Sequence, residues 1–211
     1  MRAFVFGFVL LVASTAALAE VSASRVRPVG HKLEEHITSL AETPQEVAEL
    51  KALLPLQYSV IEDEEMNAFA RRTKNLIIVN RGILDLVEND DELAFVIGHE
   101  MGHILVGQMK KVDIEKLQEE LEIENEAMLD ELLADFVGVT LMHKAGFDSD
   151  ASVKFFRRLI AQRSELDWAA VWLTDKGTVD DVHLIEEARL LIVSAVAEQL
   201  RDEDEAKRRP K

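Results

Sequence analysis

The sequence predicts an α+β fold, mostly helical, with a small antiparallel sheet packed against the helices. Three observations carry that expectation. Apolar residues recur at helical spacing over most of the chain, between recognisable caps. Alternating or β-branched runs are confined to residues 56–80. One segment, residues 99–103, reads HEMGH inside apolar flanks (Leu93, Ala94, Phe95, Val96 and Ile97 before it, Ile104, Leu105 and Val106 after it), as a buried helix would.

The chain opens with Arg2, an apolar stretch from Ala3 to about Thr15, and a small-x-small site at Ala17-Leu18-Ala19. Residues 1–19 therefore read as a secretory signal peptide. The alternative is an uncleaved anchor that tethers the protein to a membrane, for which the stretch is short. Residues 20–30 read as a loose start, and 31–42 as a helix. Together with the next element they give an N-terminal helical segment, 20–55. Thr43-Pro44-Gln45-Glu46 is a capping box with proline at the first helical position, and Pro55 ends that helix.

Residues 56–61 alternate as a strand does. Residues 67–70 and 76–80 form two more, around a polar turn at 71–75. Arg81-Gly82 breaks the last strand before a short helix at 83–87. Asn89 caps a helix over about 90–109, with Glu92 at its third position. Residues 110–128 are charged and helix-prone. A further helix has Leu132, Leu133, Phe136, Val137, Thr140 and Leu141 on its apolar face and stops at Gly146. Asp148 or Ser149 caps the next one, with Val153, Phe155, Phe156, Leu159 and Ile160 inside. Residues 165–182 show no clear periodicity, although Trp168, Val171 and Trp172 read as core. A last helix spans about 184–201, and 202–211 reads as a frayed, charged tail. The main domain is thus expected over 56–201.

Composition excludes several chemistries. The formal net charge is −16 and there is no cysteine. An acidic surface argues against nucleic acid or an anionic membrane as partner. Without cysteine there is no disulfide framework, thiolate metal site or nucleophilic thiol. An exported protein, most naturally periplasmic and soluble after cleavage, is the expectation.

The chemistry sits in HEMGH. Four residues apart on a helix, His99 and His103 leave the same face and can grip one metal ion. Glu100 stands beside that ion without ligating it and can act as general base toward a metal-activated water. A third ligand is available in Glu131, 28 residues after His103. An unbroken helix across that gap would be about 42 Å long, so the chain must reverse within 110–128 for Glu131 to reach the metal. Read alone, Glu131 is equally an ordinary solvated acid. Asp135, one turn further on, can accept a hydrogen bond from the far nitrogen of a ligand histidine. His31, His36 and His143 read as surface or partly packed histidines.

These motifs form an ordered series: Asn67-Ala68-Phe69-Ala70, the strand 76–80, Arg81-Gly82-Ile83-Leu84, Asp91-Glu92-Leu93-Ala94, Gly98-His99-Glu100-Met101-Gly102-His103, Glu131-x-x-Ala134-Asp135 with Gly138, Ala145-Gly146-Phe147-Asp148, and Phe155-Phe156. The series resembles the zinc metallopeptidases of gluzincin type that include the CAAX prenyl proteases, the HtpX membrane proteases and the BepA-like periplasmic proteases. The resemblance covers about residues 56–190. It implies a zincin-like core and one zinc ion per chain on His99, His103 and Glu131, with Glu100 as general base. It also implies roles for His183 and Arg189, whose spacing matches the family's late His-Pro…Arg motif. His183 would stand near the open zinc position, stabilising the oxyanion or blocking a latent site, and Arg189 would support it. Leu184 stands where the family has proline, and the turn 71–75 lacks the usual glycine and proline.

The function implied is an exported zinc endopeptidase acting on unfolded or extended polypeptide. The strand Leu76, Ile77, Ile78, Val79 and Asn80 is expected as the exposed edge that takes the substrate as an added strand. The competing reading is a zinc-binding latent protease that works as a chaperone or adaptor. An envelope adaptor protein, if there is one, would be a separate chain.

Overall fold

The structure, a computed structural model, describes residues 23–109, 111–165 and 179–208, and the side chains of these except 163–165 and 179–185. The expected signal peptide and the three core residues expected around Trp168 lie outside the described residues.

The fold is α+β and mostly helical. Helix α1 covers residues 23–37, so the expected loose start at 20–30 is helical from 23 onward. Pro28 and Gly30 hide this helix from a local reading, because both are poor interior helix residues. Packing overrides them: Val26, Val29, Leu33 and Ile37 share one face and are buried. Gly30 is there for room, since a Cβ at that position would come 2.4 Å from the Tyr58 ring.

Helix α2, Pro44–Ala52, starts from the capping box the sequence shows, with Thr43 and Glu46 each closing on the other's backbone. Strands β1 (Gln57–Ile61), β2 (Ala68–Arg71) and β3 (Leu76–Asn80) follow. The sheet order is β1-β3-β2, with β3 parallel to β1 and antiparallel to β2. Two expectations are corrected here. The sheet is mixed rather than antiparallel. Leu76–Asn80 is the central strand, hydrogen-bonded on both sides and buried from Ile77 to Asn80, so it is not an exposed edge. The edge strands are β1, whose Tyr58 packs on α1, and β2, which packs against the helix carrying HEMGH.

Helix α3 is Arg81–Leu86 and α4 is Asp90–Val106. Asn89 caps α4 by accepting from the Glu92 backbone N–H. The chain then reverses as the metal reading requires. Helix α5 (Lys111–Leu121) exposes most of its length, a turn at Glu122 (φ 54°) follows, and α6 runs from Glu126 to Lys144. Gly146, at φ 77°, ends α6 as expected. Helices α7 (Asp150–Glu165) and α8 (Val179–Arg208) complete the described chain. α8 extends through the segment expected to fray, with Arg201 bound to Asp150 and Asp204 beside His143. The core joins Leu33 and Ile37, Ile77 and Val79, Leu93, Ile97, Met101 and Ile104 of α4, Leu141, Phe155 and Phe156, and Val193 and Ala197. Among the described residues, no helix is long and apolar enough to cross a membrane.

Candidate metal centre

The site is built on two helices that touch backbone to backbone. α4 and α6 run antiparallel, with Gly98 against Gly138 and Gly102 against Ala134. A Cβ on Gly98 would lie 3.0 Å from the Gly138 carbonyl oxygen, and one on Gly102 would lie 2.6 Å from the Ala134 Cα. Small residues four apart on both helices allow this approach. It brings the face of α4 that carries His99 and His103 within side-chain reach of Glu131 and Asp135 on α6.

The three expected ligands converge. Nε2 of His99 and Nε2 of His103 are 3.1 Å apart. Glu131 places Oε1 3.4 Å from His103 Nε2 and Oε2 3.6 Å from His99 Nε2. Donors at about 2.0–2.1 Å from a tetrahedral ion stand about 3.3 Å from one another, so these separations fit a zinc-sized ion. His99, His103 and Glu131 form the one group of metal-ligating type among the described residues.

Each histidine is held from behind. Nδ1 of His99 lies 2.8 Å from Oδ1 of Asp135, which is fully buried. The two atoms are in ion-pair contact, although Nδ1 meets no partner in hydrogen-bond geometry. Arg189, reaching in from α8, donates through Nε and Nη2 to the two oxygens of Asp135 at 2.7 and 3.0 Å. Its Nη1 lies 2.9 Å from Glu131 Oε2. Arg189 therefore ties the third carboxylate to Asp135 and orders both. Burial pushes the Asp135 carboxyl up, but Arg189 and His99 outweigh it and hold it down to about 2. For His99 burial favours the neutral ring, and the Asp135 carboxylate outweighs that and raises its pKa.

Glu100 projects from the next position along α4 and is 5 % exposed. Burial raises its pKa against the opposing pull of the two imidazoles. Its Oε2 has no hydrogen-bond partner in the protein. A buried carboxylate oxygen left open beside three metal donors suits a group that takes its partner from water or substrate.

Two residues of the site were missed in the sequence. Asp130, immediately before Glu131, places Oδ2 3.0 Å from Nδ1 of His103. Arg72, from the turn after β2, donates to both oxygens of Asp130 at 2.7 and 2.5 Å. Burial raises the Asp130 carboxyl, and the bond and charge of His103 with the charge of Arg72 bring it below its ordinary value. The adjacent acids at 130 and 131 are a visible signal, but which of them meets His103 depends on the register of two helices. His183 lies on α8 and its side chain is outside the described residues.

Residues 31–121 match the model of peptidase family M48. The chain is 35 % identical over 78 residues to the mitochondrial metalloendopeptidase OMA1 of Danio rerio, covering 36 % of this chain and 16 % of that protein. It is 42 % identical over 57 residues to the metalloprotease LoiP of Escherichia coli strain K12, covering 27 % of this chain and 22 % of that protein. The matched part spans less than a quarter of either relative's length. The family match ends before Glu131, so the third donor rests on the geometry of α4 and α6. The metallopeptidase resemblance read from the residues is borne out, and residues 31–121 carry the pattern of peptidase family M48.

Proposed function

We propose that the protein is a zinc-dependent endopeptidase, exported to the periplasm, that cuts unfolded or misassembled envelope proteins. One observation carries the catalytic part. His99, His103 and Glu131 present three converging donors, and Glu100, buried beside them, has an oxygen without a protein partner.

His99, His103 and Glu131 would hold the ion. Zinc, when bound there, supplies Lewis acidity toward water and the peptide carbonyl. The chain's own residues do the rest. Glu100, its pKa raised by burial, takes a proton from water and returns it to the leaving amine. Asp135 orients His99, and Arg189 locks Asp135 and Glu131 together. An extended substrate adds to the edge strand β2, whose main-chain groups lie alongside α4. Such pairing reads little sequence, which suits unfolded polypeptide. Export rests on the signal-peptide pattern of residues 1–19.

The test is cleavage of an unfolded model protein by the zinc-loaded protein and by its Glu100→Gln variant at equal zinc content. Cleavage by the unchanged protein alone supports the reading. Absence of cleavage in both, with zinc retained, turns the reading to a latent zinc protein acting as chaperone or adaptor. The mass of the protein recovered from the periplasm tests removal of residues 1–19.

A further inference from the structure

The two histidines are braced by different devices. His99 is braced from inside the core by Asp135 and Arg189. His103 is braced at the rim by Asp130, which in turn is gripped by Arg72. Arg72 directly follows β2, the edge strand of the sheet facing α4. Its side chain crosses the end of α4 over Gly107, where a Cβ would come 2.8 Å from Arg72 Cδ. The path from Arg72 to Asp130 therefore passes in close contact with a glycine at the C-terminal end of the metal-site helix, where a larger residue would displace it.

We propose that Arg72 and Asp130 are positioning residues for His103, fixing its ring so that Nε2 is left for the metal and tying that ligand to the turn after the edge strand. The inference rests on the zinc reading of the site. The physical argument is the tautomer. A neutral imidazole has one N–H and one lone pair. Asp130 is an acceptor at Nδ1, so it draws the proton there, and the lone pair falls on Nε2, the nitrogen that faces His99 and Glu131. Arg72 donates from Nη2 to both oxygens of the Asp130 carboxylate, which favours the orientation that faces His103. The side chains of Arg72 and Asp130 are 43 % and 28 % exposed. An ion pair that open adds little to folding stability. Its effect should therefore appear at the metal and not in the stability of the metal-free protein.

The experiment measures zinc affinity by competition with a chromophoric chelator, using the full chain, Asp130→Ala, Asp130→Asn, Arg72→Ala and Arg72→Lys. The melting temperature of each metal-free protein is measured alongside. Nitrogen-15 NMR of the metal-free proteins reads the His103 tautomer. The expected result is about a 10- to 100-fold loss of zinc affinity in Asp130→Ala. Arg72→Ala should lose less, and Asp130→Asn, which keeps an acceptor oxygen, should recover part of the loss. The metal-free melting temperatures should hold. The His103 signals should show Nδ1 protonated in the unchanged protein and a mixture in Asp130→Ala. Tight zinc binding with unchanged affinity in both alanine variants would overturn the proposal and leave the metallopeptidase reading standing. So would lost affinity with an unchanged tautomer. Failure of the unchanged protein to bind zinc would remove both. If Asp130→Ala does not fold, the Arg72 variants, altered in an exposed turn, decide the matter by the same two readouts.

Discussion

At the scale of single residues, the site separates groups that work by being bonded from one that works by being left open. Glu100 is the open one. Replacing it with Gln keeps the shape and removes the base, so cleavage should fall by about 10²- to 10⁴-fold while zinc content holds. Kinetics at matched zinc content check this, and zinc loss in the variant would count against the role. Asp135 is the most heavily bonded. Its carboxyl is held at about 2 against an ordinary 3.8. A depressed carboxylate stabilises the fold fully above the unfolded value and loses that contribution as pH falls through the folded value. The metal-free protein should therefore lose on the order of 2 kcal/mol between about pH 4 and pH 2 through this residue. Urea midpoints across that range, beside Asp135→Asn, check it, since the variant should lack this limb. The convergence of His99 and His103, with Glu100 beside them, is legible locally, because helical spacing alone puts the two rings together. Asp130 is not, because its partner comes from the register between α4 and α6.

At the scale of elements, the governing contact is the crossing of α4 and α6. Gly102 meets the Ala134 backbone, which cannot rotate out of the way as a side chain can. Gly102→Ala should force the helices apart, at about 1–3 kcal/mol in stability, and should weaken zinc binding by drawing Glu131 away from the histidines. Thermal melting and chelator competition on the same variant check both effects. An unchanged zinc affinity would mean that the crossing does not set the donor geometry. The sheet shows what hydrophobic pattern conveys at this scale. The run Leu-Ile-Ile-Val is apolar at every position, as a strand covered on both faces is, and β3 is such a strand. Its central place also depends on β1, which joins from the far side across residues 62–67. Nothing in the β2–β3 hairpin specifies that third neighbour, and the hairpin alone suggested an edge.

At the scale of the whole molecule, the donors are spread along the chain and held by parts distant in sequence. His99 and His103 come from α4, Glu131 from α6, and the guanidinium that orders Glu131 from α8. The outer ends of the terminal helices are poorly legible in the sequence. Pro28 and Gly30 hide the start of α1, and the charged end of α8 looks frayed until Asp150 and His143 are placed beside it. Because the donors join separate elements, the metal should act as a cross-link of the native state only. A ligand present at 100 times its dissociation constant stabilises by about 2.7 kcal/mol. Zinc removal should accordingly lower the melting temperature by several degrees, and re-addition should restore it. His103→Ala, which removes one donor from the rim, should melt near the metal-free protein and respond little to zinc. Differential scanning calorimetry with and without chelator checks this. Equal melting of the two forms in excess zinc would mean that the ion does not bind the native state preferentially, and would count against the three-donor site.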